Sequence, residues 1–266
     1  MTKKKNVTWS SKTIAAGNNA KTVKGDDEYL TAVMYLAPFT LSGFNVCAMA
    51  ETAMCHEPCL NTAGRGKFTM VQEARIAKTQ RFSKQRVEFM DTLFKDVERY
   101  IKFCEKRDLK PAIRLNGTSD IRWENHKIVG KNIFEEFDST TFYDYTKISN
   151  RKIQKLDNYH LTWSYSNANA KYAEGYKEAF KKGMNVAVVF KDVNEMPTHY
   201  LDHPVISGDK DDLRFLDPKG RVISLYAKGD AKHDTSGFVV DYGKELADVR
   251  QANSLTKIPT DNVIFL

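Results

Sequence analysis

The sequence has 266 residues, 41% hydrophobic and 28% charged, with a formal net charge of +7. That balance suits one large globular domain or two small ones. No apolar run reaches the length of a bilayer, and the opening Met1 to Val7 is polar, so neither a membrane span nor a secretion signal is expected. A cytoplasmic setting follows, in which cysteines serve metal binding or catalysis rather than disulfides. The basic balance permits contact with nucleic acid or another polyanion. Lys and Arg are spread among Asp and Glu, however, so a solvated basic surface explains the charge equally well.

In chain order, residues 1–27 are rich in Lys, Asn, Ser, Thr and Gly and predict a flexible polar arm, with at most one short ordered piece. Residues 28–266 are expected to form one domain. Tyr29 to Thr40 is apolar and β-compatible and predicts a buried first strand. A loop with three cysteines follows directly. From Lys67 to Asp108 the apolar residues recur at helical spacing, with Val87, Met90, Phe94, Val97, Ile101 and Cys104 on one stripe. An earlier helical segment, kinked or separate, ends near Ser83.

Beyond Lys110-Pro111 the pattern alternates. Strands are predicted at Ala112 to Asn116, Thr141 to Lys147, Tyr159 to Ser166, Asn185 to Lys191 and Val222 to Lys228. Helices are predicted at Ile128 to Phe137, Ser149 to Leu156 and Ala168 to Lys182. Thr198 to Asp217 reads as a loop dense in His and Asp, and a short helix is expected near Lys244 to Ala252. Strands alternating with helices imply parallel pairing with right-handed crossovers. The fold class expected is therefore α/β, a partial and open parallel β/α barrel of about six strands. A doubly wound sheet is the alternative.

The chemistry gathers around Cys47, Cys55 and Cys59, spaced C-x7-C-x3-C. Thiolates are soft ligands that suit iron–sulfur clusters and zinc. Three of them could hold a four-iron cluster with one iron open, or zinc if His56 or a distant group completed the tetrahedron. Three unrelated buried cysteines are the bland alternative. Cys104 sits on the apolar helix stripe and reads as a small core residue.

In β/α folds, functional groups collect at the carboxyl ends of the strands. Those ends here are polar: Arg114, Asn116, Ser119 and Asp120 after the second strand, Thr146 and Lys147 after the third, Ser164 on the fourth, and Lys228 after the sixth. Asp209, Asp211 and Asp212, with Asp217 beyond, offer carboxylates for magnesium, but an exposed acidic turn is the preferred reading. Arg65, Lys67, Arg75, Lys78 and Arg81 form a basic group that could touch a nucleic-acid backbone, neutralise an anionic cofactor, or simply face solvent.

Several of these pieces resemble the phage gene-product-88 family. They are the three cysteines with Asn61 to Gly66, Val71 to Arg75 with Lys78-Thr79, Arg114-Leu115-Asn116 with Ser119-Asp120, Phe142 to Lys147, Thr162-Trp163-Ser164, Gly208 to Asp211, and Ala227-Lys228-Gly229. The resemblance covers roughly residues 30 to 240 and implies a bacteriophage or prophage origin, hence the host cytoplasm. That family is in turn similar to radical S-adenosylmethionine proteins, although C-x7-C-x3-C departs from their common spacing. The distant likeness implies a 4Fe-4S cluster on Cys47, Cys55 and Cys59. It also implies a small-molecule cofactor, S-adenosylmethionine, bound by Asn116, Ser119, Asp120, Thr146, Lys147, Ser164 and Lys228. The alternative function is a non-redox nucleic-acid-binding or processing protein of phage replication, with zinc as a structural clasp.

Overall fold

A computed structural model describes residues 7–17, 22, 24, 26–59, 63–192, 194 and 196–255. Parts of the expected arm (1–6, 18–21, 23 and 25), Asn61 and Thr62 of the family motif, and the chain after 255 lie outside the described residues.

Among the described residues the frame is a sheet of ten strands. These are β1 (Trp9–Ser10), β2 (Ala15–Ala16), β3 (Tyr29–Val33), β4 (Lys110–Arg114), β7 (Thr141–Thr146), β8 (Tyr159–Ser164), β9 (Asn185–Phe190), β10 (His199–Tyr200), β11 (His203–Ser207) and β12 (Val222–Tyr226). Across the sheet they lie in the order β1-β2-β3-β4-β7-β8-β9-β12-β11-β10. Pairing from β3 across to β11 is parallel. At one end β1 and β2 run antiparallel, and β2 is antiparallel to β3; at the other, β10 is antiparallel to β11. Within the segment expected to be a flexible arm, Trp9–Ser10 and Ala15–Ala16 thus extend the sheet.

The expectation of a partial parallel β/α barrel is corrected. The sheet is mixed, and helices cover few of its crossovers. Among the described residues only the first crossover is long and helical, with α1 (Thr69–Lys84) and α2 (Arg86–Glu105). Between β4 and β7 stand a hairpin of β5 (Lys127–Ile128) and β6 (Lys131–Asn132) and the single turn α3 (Ile133–Glu136). Among the described residues no helix joins β7 to β8, so the helix expected at Ser149 to Leu156 is a loop. Two short helices, α4 (Ala170–Ala173) and α5 (Gly175–Lys181), lead to β9. The β10–β11 hairpin occupies the path from β9 to β12, and β12 inserts between β9 and β11. The helix α6 (Tyr242–Leu255) closes the described chain.

Local chemistry explains the departures. Ile128 to Phe137 has helical spacing, but Val129 and Gly130 both adopt positive φ, 47° and 85°, which builds a tight hairpin turn. Asn132 then caps α3, accepting from the Phe134 and Glu135 amides, while Glu135 accepts from the Asn132 amide. The break between α1 and α2 falls at Gln85, close to the expected kink.

One face of the sheet carries the main core. Leu30, Ala32, Ile113, Leu115, Phe142, Leu161, Trp163, Val186 and Val188 pack there with Phe89, Leu93, Val97, Tyr100 and Cys104 of α2. The Tyr100 hydroxyl donates to the Leu30 carbonyl at 2.7 Å, tying α2 to the sheet. Strand alternation sends Thr31, Arg114, Tyr143 and Tyr145 to the opposite face, where Phe215 packs on Tyr29 and Tyr143. The two faces therefore differ in character: one is apolar and helix-covered, the other polar and crossed by residues 208–217.

Candidate functional site at the carboxyl ends of the parallel strands

The cysteine loop lies across the carboxyl ends of β4 and β8. The Asp120 amide donates to the Val46 carbonyl at 2.8 Å, and the Ser166 hydroxyl donates to the Ala53 carbonyl at 2.8 Å. Cys47 Sγ accepts from the Phe39 amide at 3.4 Å and lies 3.8 Å from the Thr118 carbonyl. All three loop cysteines are half-buried, whereas Cys104 is buried in the core as expected. Burial pushes the Cys47 thiol up to about 12; the Phe39 amide opposes this, and the nearby Cys59, Asp120 and Cys55 add to it. Cys55 and Cys59 are thus each within electrostatic reach of Cys47. They do not close into a ligand set: among the described residues, no three His, Cys, Asp or Glu side chains stand where they could hold a metal ion. His56 turns its Nδ1 to the Ala50 carbonyl at 3.4 Å and packs its ring on Phe39.

Opposite the thiols stands Lys147, just after β7. Its Nζ donates to the Ser164 and Tyr165 carbonyls at 3.3 and 3.4 Å and lies 4.4 Å from the centre of the Phe238 ring. Burial lowers this ammonium from its ordinary value, and Cys55, Asp120 and Cys59 act to restore it. Asp120 accepts from the Thr146 hydroxyl and the Lys147 amide, both at 2.8 Å, and from Arg151 at 3.3 Å. Burial raises the Asp120 carboxyl despite those partners.

The expected site residues divide by role. Asp120, Thr146, Lys147 and the Ser164 backbone join one hydrogen-bonded group beside the cysteine loop. Asn116 and Ser119 frame it. Asn116 Oδ1 accepts from Ser119, the Ile121 amide and Trp123 Nε1, and its Nδ2 donates to the Ile121 carbonyl. These bonds shape the turn that aims Asp120. Lys228 stands apart, paired with Asp209 at 2.6 Å.

Of the basic group around α1, Arg65 and Lys67 are exposed, whereas Arg75, Lys78 and Arg81 are turned toward the protein. The Arg75 guanidinium lies 4.7 Å from the Tyr35 ring centre, Lys78 Nζ donates to the Thr13 carbonyl at 3.0 Å, and Arg81 donates to the Thr92 hydroxyl at 2.9 Å. Helical spacing alone could not reveal this, because the partners of Arg75 and Lys78 come from distant segments of the chain.

The acidic stretch is corrected as well. Asp212 is buried, not exposed, and pairs with Arg114 at 2.6 Å. Asp211 and Asp217 each lie 3.0 Å from Arg214, which is also buried. Sequence reading missed Arg214, Tyr143 and Tyr145 as parts of this group. The signal for the two tyrosines was period-two alternation, which puts them on one face of β7.

Among the described residues no helix is long and apolar enough to cross a membrane. No curated protein and no solved structure matches the chain, so the likeness to radical S-adenosylmethionine proteins finds no support there. A family model described as Gene product 88 matches residues 7–242. With most of its length covered by that match, the chain belongs to the phage Gene product 88 family.

Proposed function

We propose that the chain is an iron–sulfur enzyme of the radical S-adenosylmethionine-like kind, with its metal centre on Cys47, Cys55 and Cys59. The observation that carries this reading is one loop that bears three half-buried thiols, two of them, Cys55 and Cys59, within electrostatic reach of the Lys147 ammonium beside the strand ends. A thiolate-bound cluster is anionic, and a fixed cation beside it lowers the cost of gathering that charge. Lys147 is held in place for that role by two backbone carbonyls.

Thiols suit such a group as donors, but among the described residues they are not gathered into a ligand set, so loading would need the loop to rearrange. When bound, the cluster supplies an electron. The chain's own residues do the rest. Asp120 anchors Thr146, the Lys147 amide and Arg151, which fixes the floor of the site. Asn116 and Ser119 hold the turn that carries Asp120. Lys147 and the Ser164 edge would face the small molecule when it is bound.

The test is reductive turnover of S-adenosylmethionine by anaerobically reconstituted protein. Release of 5′-deoxyadenosine that disappears in Lys147→Met and Cys59→Ala supports the reading. Cluster loading without any turnover overturns the S-adenosylmethionine part of it. Stoichiometric zinc without sulfide overturns the redox part and favours a structural clasp.

A further inference from the structure

On the polar face of the sheet, at the same carboxyl ends, buried polar atoms without hydrogen-bond partners concentrate at one place. Among the described residues they include Arg114 Nε, Tyr145 Oη, Arg214 Nε and Arg214 Nη1, with Asp217 Oδ2 beside them. Arg214 Nη1 and Asp217 Oδ2 are 3.0 Å apart, an ion pair without hydrogen-bond alignment. Native structures leave few such groups unsatisfied, and a concentration of them marks a place where something is bound or moves. Four of the five are donors, and they belong to two guanidiniums and a phenol. Donors of that type and number suit an oxyanion.

The group is closed by residues 208–217, which run from the end of β11 to the short turn Arg214–Leu216 and the residue after it. From this strap Asp212 reaches Arg114, and Asp211 and Asp217 reach Arg214. Three carboxylates thus surround two guanidiniums. Crowding is evident in Asp217, whose carboxyl is pushed up to about 6 by burial, with Asp211 and Asp212 adding and Arg214 opposing. The Arg114 guanidinium has lost most of its water, and both Tyr143 and Tyr145 lie beneath it, 5.6 and 5.2 Å from ring centre to guanidinium carbon. The closure is thin: the side chains of Asp211 and Asp217 keep 27% and 15% of their exposure.

We infer that Arg114 and Tyr145 form the anchoring site for a carboxylate or phosphate group of the substrate, and that the Asp212 carboxylate occupies that place until the ligand displaces it. The inference rests on reading this end of the sheet as the reaction site, and it names the substrate class: a small molecule or nucleotide bearing an oxyanion. Arg114 is the fixed partner because it belongs to the sheet. Asp212, on the strap, is the exchangeable one. Gly208 lies at the start of the strap, where an added Cβ would fall 2.5 Å from Ile223 Cγ2 and 2.9 Å from Arg214 Nη1. The strap therefore packs flat on the sheet when closed.

The experiment uses full-length protein without cluster, so its outcome is independent of metal loading. Thermal unfolding and calorimetry are followed with inorganic phosphate, malonate and chloride at matched ionic strength. Phosphate or malonate should stabilise the wild type saturably, and chloride should not. Asp212→Asn vacates the charge opposite Arg114, so half-saturation should fall by about tenfold, as expected when a competing internal carboxylate is removed. Tyr145→Phe, which keeps the ring packing, should raise half-saturation, and Arg114→Met should abolish the effect. Preference for phosphate or for malonate identifies which oxyanion the site accepts. Equal response to all three salts, or an Asp212→Asn variant that folds and binds no better than wild type, overturns the inference. Iron content that fails to appear in a separate reconstitution would fault the cluster reading alone.

Discussion

Arg114, the last residue of β4, meets Asp212 at 2.6 Å across 98 positions of sequence. Burial works against the Arg114 charge, and Asp212 with Tyr143 and Tyr145 more than restores it, so the guanidinium is held above its ordinary range. Removing one partner of a buried pair leaves the other charge uncompensated, at a cost of about 3–5 kcal/mol. Asp212→Leu should therefore lower the urea midpoint strongly. Arg114→Met combined with Asp212→Leu should recover much of the loss, because the paired desolvation disappears with both charges. A double variant whose loss equals the sum of the two single losses would show that the pair adds nothing to stability.

Asp144 lies on the helix-covered face of β7, accepting from the Asn116 amide at 2.8 Å and the Tyr159 hydroxyl at 3.2 Å. Burial raises its carboxyl from 3.8 to about 7, with Arg114, Asn116, Tyr159 and Arg151 opposing. Between those two values the folded chain binds more protons than the unfolded one, so stability falls as pH rises from about 4 to about 7. Each pH unit crossed in that window costs about 1.4 kcal/mol, so Asp144→Asn should flatten the decline by a few kcal/mol in all. Unfolding titrations at about pH 4.5 and 7.5, on either side of most of that window, check it. An unchanged slope in the variant would assign the pH dependence to other carboxyls.

The edge strands are tied down by Asp96 of α2. Its carboxylate accepts from the Thr13 amide at 3.0 Å and the Thr13 hydroxyl at 2.6 Å, and it also pairs with Arg99. Hydrogen bonds to a buried charge contribute about 1.5–3 kcal/mol each. Asp96→Ala should therefore release β1 and β2 before the rest of the sheet. Hydrogen exchange should speed up at Ala15 and Ala16 while Ile113 and Val188 remain protected. Uniform acceleration across the sheet would mean the arm and the domain unfold as one unit.

Gly117 marks a close approach at the site. A Cβ there would fall 2.6 Å from the Met34 carbonyl oxygen and 2.7 Å from Val33 Cγ1. Both belong to the end of β3 and the residue after it, which cannot swing aside. Gly117→Ala should destabilise by about 1–3 kcal/mol, the usual range for overpacking. It should also displace the turn that aims Asp120. A denaturation midpoint unchanged from wild type would show the turn is free to shift.

The strand segments were legible because Leu30 to Val33, Phe142 to Thr146 and Val186 to Phe190 are runs rich in β-branched or aromatic residues. Their closure was not. A regular strand–helix rhythm suggested a barrel, but the crossovers hold a hairpin, bare loops and single helical turns, and antiparallel strands occupy both ends of the sheet. Strand β11 went unread because Pro204 sits inside a five-residue segment with His203 at its start. The burial of Asp212 was invisible because its partner lies on a distant strand; locally the stretch looks like a solvated turn. The cysteine spacing was plain in the sequence, but turns within the loop, including a positive φ at Met54, decide where each thiol points.

Iron and acid-labile sulfide content tests most directly whether Cys47, Cys55 and Cys59 hold a cluster. The protein is purified without oxygen, reconstituted with ferrous iron and sulfide, and compared with Cys59→Ala. A cluster on these thiols predicts about four irons and matching sulfide per chain in the wild type, with visible absorption that Cys59→Ala loses. Absence of iron and sulfide in both proteins, or equal loading in both, would contradict it.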